Sequence, residues 1–177
     1  MIGDSKSAAP LNSWPAALAG KFADSLGISG ATVGNTAPSI TSILAGSVAN
    51  TAGDVQFVLC NLGVNDAITS PEDPTQKAAW ISNYKTIRNA AHSKFPGASI
   101  RYMYPWRSAW THGEADIMHS WIDELIADAP TYTASGPDEQ IWFKPNVATY
   151  SVDGLHYFTA AGQAGCEAAW RSNLGAW

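Results

Sequence analysis

The chain has 177 residues, enough for one domain with a proper core. Apolar residues make up 46%, charged residues only 14%, and the net charge is -5 with no run of Lys or Arg, which argues against nucleic acid or an anionic membrane as the partner. No stretch reaches the roughly 18 unbroken apolar residues of a membrane span, and no signal-peptide pattern is read at the start, which leaves the location open.

The elements follow in chain order. Only Met1 and Ile2 precede Gly3, so the first strand is expected to be very short, or the chain to be cut from a longer protein. Leu11, Trp14, Leu18, Phe22 and Leu26 recur at helical spacing and predict an amphipathic helix over residues 9–26; Pro10 and Pro15 leave its start open. Ile28 to Val33 is a weak strand candidate. Ile40, Ile43, Leu44 and Val48 predict a helix over about 39–50. Val55 to Cys60 is nearly continuous in apolar residues, as a strand covered on both faces reads. Trp80, Tyr84, Ile87 and Ala91 form a helical stripe over 74–94, and Met118, Ile122, Leu125 and Ala129 another over 114–129. Between them, Ser99 to Tyr104 predicts a strand closed by Pro105. Gln140 to Phe143 is a weaker strand candidate, and residues 159–173 form a last helix rich in Ala and Gly. Alternating strands and helices imply a parallel sheet with helices on both sides. Cys60 and Cys166 are expected as two buried free thiols.

Four short motifs fall after strands or in late loops, where open α/β sheets build their sites. Gly3-Asp4-Ser5 places a serine at a strand-to-helix turn, where a backbone N–H can stabilise an oxyanion; the same turn equally suits a helix cap. Ser29-Gly30-Ala31-Thr32 offers a glycine whose N–H can approach a ligand, with Gly34 as a rival. Leu62-Gly63-Val64-Asn65-Asp66 puts an amide donor directly after a buried strand, or is simply a turn. Asp153-Gly154-Leu155-His156 spaces a carboxylate to bond an imidazole and fix its tautomer, or is a polar loop capping the next helix.

Taken together, the four blocks resemble those of the SGNH (GDSL-like) hydrolases, and the resemblance covers essentially the whole chain. It implies a single catalytic domain over 1–177. The implied fold is α/β: a three-layer α/β/α sandwich with a flavodoxin-like parallel sheet of about five strands. It implies Ser5 as nucleophile, His156 as base and Asp153 as the orienting acid. Ser5 N–H, Gly30 N–H and the Asn65 side chain would form the oxyanion hole, and no metal or other cofactor is needed. Two positions depart from the pattern: Lys6 stands where an apolar residue usually follows the serine, and Tyr157 where Pro often follows the histidine. The G-x-S-x-G elbow of the α/β-hydrolases is absent.

The reaction so implied is ester hydrolysis through an acyl-serine. It should fade at acid pH as the imidazole, with a reference pKa of about 6.5, takes up a proton. Short acyl groups on a carbohydrate are the expected substrate, because Trp106 and Trp110 can stack on a sugar and Arg107 can meet an acidic one. The alternatives are a lipid esterase or acyl-thioesterase with the same residues, and a sugar-binding module that has lost turnover. His112, Asp116 and His119 would share a helical face, but a solvated face is the expected reading rather than a metal site. His92 reads as a surface helix residue.

Overall fold

The structure is a computed structural model and describes residues 2–3, 6, 26–45, 55–157 and 159–175. The first predicted helix, with Leu11, Trp14, Leu18 and Phe22, lies outside the described residues, as does Val48. The strands are β1 (Ile2–Gly3), β2 (Leu26–Gly27), β3 (Phe57–Asn61), β4 (Ser99–Tyr104) and β5 (Thr133–Asp138). They form one sheet in the order β2-β1-β3-β4-β5, and every pairing is parallel. The helices are α1 (Val33–Thr36), α2 (Ile40–Ala45), α3 (Pro74–Lys94), α4 (Glu114–Asp128), α5 (Glu139–Trp142), α6 (Val147–Tyr150) and α7 (Ala160–Leu174).

Strand alternation sorts the side chains onto two faces. From β3 and β4, Val58, Cys60, Ile100 and Tyr102 join a core cluster with Trp80, Tyr84 and Ile87 of α3 and Met118, Trp121 and Leu125 of α4. Leu59 and Met103 point the other way, into a cluster with Phe143, Tyr157, and Cys166 and Trp170 of α7. These two layers sandwich the sheet. Each fully buried aliphatic side chain, such as Leu59 or Ile100, contributes roughly 1.5–3 kcal/mol. Cys60 and Cys166 are free and buried on opposite faces, and burial pushes the Cys60 thiol up to about 12.

Local chemistry sets the element ends. Asp73 caps α3 by accepting the N–H groups of Thr75 and Gln76, Pro74 occupies the first turn, and Pro96 follows the helix end. Three expectations need correction. Leu26, expected at a helix end, is in β2. Ile28–Val33 is not a strand: it turns and enters α1, because Thr32 and Asn35 form a reciprocal capping box. Gln140–Phe143 is not a strand either: Asp138 accepts the Gln140 N–H at 2.8 Å and starts α5.

The order of the strands has one functional consequence. The chain leaves β1 and β3 in neighbouring positions, and the sheet order reverses between them. The carboxyl edge at such a reversal is where open α/β sheets leave a crevice.

Candidate active site

Two loops meet at that edge. After β2, Ile28–Ala31 form a turn closed by the Ala31 N–H donating to the Ile28 carbonyl at 3.1 Å. Gly30 takes φ +74° there, a conformation glycine adopts without strain, and its position is exposed. After β3, the segment Leu62–Asp66 reaches across to this turn. Asn65 Nδ2 donates to the Ala31 carbonyl at 3.1 Å, and the Asp66 carboxylate accepts the Val33 N–H at 3.1 and 3.3 Å. Gly30 and Asn65, two of the three expected oxyanion donors, are therefore held on loops that are bonded to each other. Asn65 Nδ2 carries two protons, and the bond to Ala31 uses one of them.

A third loop carries Asp153 and His156. Asp153 Oδ2 lies 2.6 Å from His156 Nδ1. Its other oxygen, Oδ1, accepts the N–H of His156 at 2.8 Å, the N–H of Leu155 at 2.9 Å and the Ser151 hydroxyl at 3.0 Å. Partial burial pushes the Asp153 carboxyl up, but these hydrogen bonds outweigh it and hold it far below the usual carboxylate range. An ionised Asp153 makes Nδ1 the protonated nitrogen, so Nε2 is the one that accepts a proton. Ser151 Oγ also accepts the Gly154 N–H at 2.9 Å, which closes the loop on itself.

The segment after β4 locks these parts together. Ser108 N–H donates to the Gly154 carbonyl at 3.0 Å, and Arg107 Nη1 donates to the Val64 carbonyl at 3.3 Å. Arg107 thus sits beside Asn65 and its neighbour Ser108 beside the Asp153–His156 loop. Trp106 departs from expectation. It is only 6% exposed, packed edge-on against Phe143 in the second core layer, and does not offer a stacking face. Trp110 is half-buried against both core layers. The apolar body of Trp106 is worth more in the core than at a wet rim.

Ser5, the expected nucleophile, lies outside the described residues. The residue after it, Lys6, is fully buried and pairs with Glu139 at 2.6 Å. Glu139 was not singled out in the sequence. A lysine in a normally apolar position was the signal available, because a buried ammonium demands a carboxylate. His112, Asp116 and His119 do not converge: His112 precedes α4 with an exposed side chain, and Asp116 accepts from Gln140. His119 is not solvated as expected but packs edge-on against Tyr104, and His92 stacks on Tyr132.

No family model and no curated protein matches the chain. Solved structures do. A structure described as a putative platelet activating factor from Streptococcus pneumonia is similar at TM-score 0.70 and 19% identity, over 98% of this chain and 82% of that one. A mutant acetyl esterase with acetate ion is similar at 0.70 and 16%, over 98% and 94%. Axe2, an acetylxylan esterase from Geobacillus stearothermophilus, is similar at 0.68 and 16%, over 99% and 93%. At these identities the likeness establishes the fold alone, an α/β sandwich built on a parallel sheet. Among the described residues, no helix is long and apolar enough to cross a membrane.

Proposed function

We propose that the protein is a serine ester hydrolase that removes short acyl groups, acetyl foremost, from a carbohydrate. The observation that carries this reading is the 2.6 Å contact between Asp153 and His156. It lies in a loop tied through Ser108 and Arg107 to the loop that presents Asn65. In this reading Ser5 Oγ attacks the ester carbonyl while His156 Nε2 takes its proton. The oxyanion is received by the N–H groups of Ser5 and Gly30 and by Asn65 Nδ2. The alcohol leaves with the proton from His156, and water activated by the same imidazole then cleaves the acyl-Ser5. Asp153, held ionised, supports the imidazolium through both steps. No metal or other cofactor enters this scheme.

The acetyl esterase and acetylxylan esterase named above share the fold. With Trp106 buried, Trp110 and Arg107 are the residues left to meet a sugar. A second reading, an esterase for longer acyl chains, draws on two exposed apolar side chains beside site residues. Ile28 is 46% exposed near Gly30, and Val152 is 79% exposed next to Asp153. A panel of p-nitrophenyl esters from acetyl to palmitoyl, run beside peracetylated xylose, separates the two. Preference for acetyl and turnover of the sugar support the first reading. Preference for long chains overturns it in favour of the second, and a folded protein that turns over none of them overturns both.

A further inference from the structure

The Lys6–Glu139 pair sits where three parts of the site meet. Both side chains have no solvent exposure, and Nζ lies 2.6 Å from Oε2. Lys6 Nζ also donates to the Trp106 carbonyl at 3.0 Å, while the Trp106 N–H donates to the same Glu139 oxygen at 2.6 Å. The ammonium lies 5.2 Å from the centre of the Tyr157 ring and 5.3 Å from that of Phe143. Lys6 directly follows Ser5, Tyr157 directly follows His156, and Trp106 begins the segment that braces both other loops.

Stability is a poor reason for such a pair. Two charges taken fully out of water are often no better than two apolar side chains of the same size. Direction is what the pair adds. An ammonium that must satisfy a carboxylate, a carbonyl and a ring face at once has one position, whereas apolar contacts can slide. The two places where the sequence departs from the SGNH pattern, Lys6 and Tyr157, are moreover in contact with each other.

We propose that Lys6 and Glu139 are positioning residues for acyl transfer: their ion pair fixes the chain after Ser5 against the chain after His156, with the Trp106 backbone as the third anchor. This rests on the Ser5–His156 reading above. Small misplacements of reacting groups cost about a hundredfold in rate. The effect belongs in kcat, because the pair touches neither the acyl group nor the alcohol.

The test is Lys6→Met/Glu139→Gln, which removes both charges at nearly constant volume and keeps an acceptor for the Trp106 N–H. Thermal melting, kcat and KM on p-nitrophenyl acetate, and the rate of Ser5 labelling by a fluorophosphonate are measured with the wild type alongside. The expected result is a folded variant with kcat and labelling rate at least tenfold lower and KM within about twofold. Wild-type kcat, or a change in melting alone, overturns the proposal. Should the double variant not fold, Tyr157→Leu leaves both charges in place and removes one of the two rings beside the ammonium. The same split is then expected, and wild-type kcat there overturns the proposal. If the wild type neither turns over the ester nor takes the label, the serine-hydrolase reading falls and this proposal with it.

Discussion

Gly154 and Ser108 are so close that a side chain at position 154 would run into the Ser108 side chain, while the Ser108 N–H donates to the Gly154 carbonyl at 3.0 Å. Gly154 also takes φ +73°, where an L side chain costs about 1–2 kcal/mol before any clash. Gly154→Ala is therefore expected to shift the loop that holds Asp153 and His156. Circular dichroism should find a folded protein with a lower melting temperature, and kcat on p-nitrophenyl acetate should fall at least tenfold.

Asp153 is held ionised well below the usual carboxylate range, so in mildly acid solution its bond to the imidazole persists. Asp153 is then expected to add no protonation step of its own to the rate profile in mildly acid solution. Asp153→Asn removes the carboxylate and favours the wrong tautomer. The comparable change in a well-studied triad costs about 10⁴ in kcat. A loss of that order, with little change in KM, is the expected readout of steady-state kinetics.

Asp66 gives a stability signature that is separate from catalysis. Burial raises its carboxyl from 3.8 to about 6, although the Val33 N–H bonds favour the charged form. The folded pKa lies above the unfolded one, so the folded state binds the extra proton between about pH 4 and 6. Stability should thus fall as pH rises through that window and stay level above it. The full drop is roughly 3 kcal/mol, at about 1.4 kcal/mol for each pKa unit. Urea unfolding at pH 4 and pH 7.5 should show the drop in the wild type and not in Asp66→Asn, whose carbonyl oxygen can still accept the Val33 N–H.

Trp106 and Trp110 should separate under truncation. Trp106→Ala removes a buried ring and is expected to cost about 3–5 kcal/mol of stability, seen as a lower urea midpoint. Trp110→Ala is expected to raise KM for an acetylated xyloside while leaving p-nitrophenyl acetate turnover near wild type. An unchanged KM for the xyloside would remove Trp110 from the substrate site.

What could be read from the sequence follows from how strongly each segment states its period. β3, β4, α3 and α4 carry largely apolar runs or clean helical stripes, and they fold within about two residues of where those patterns place them. β5 is Thr-Ala-Ser-Gly-Pro-Asp and has no apolar run to read. It is a strand because the edge of the sheet tolerates Pro137 and small residues. Expectation therefore slid to Gln140–Phe143, whose apolar tail belongs to a helix capped by Asp138. The Asp153–His156 contact was legible because both residues lie in one short loop. Glu139 was not, since it meets Lys6 across 133 positions of sequence. Trp106 was misplaced because composition says nothing about which of several tryptophans the core takes.

The proposed mechanism turns on acylation of Ser5 under the control of His156. Mass spectrometry of the protein treated with a fluorophosphonate tests it most directly, with Ser5→Ala and His156→Ala treated in parallel. One adduct is expected, mapped to Ser5, absent in Ser5→Ala and strongly slowed in His156→Ala. An adduct on another residue, or ester turnover that survives in Ser5→Ala, would contradict it.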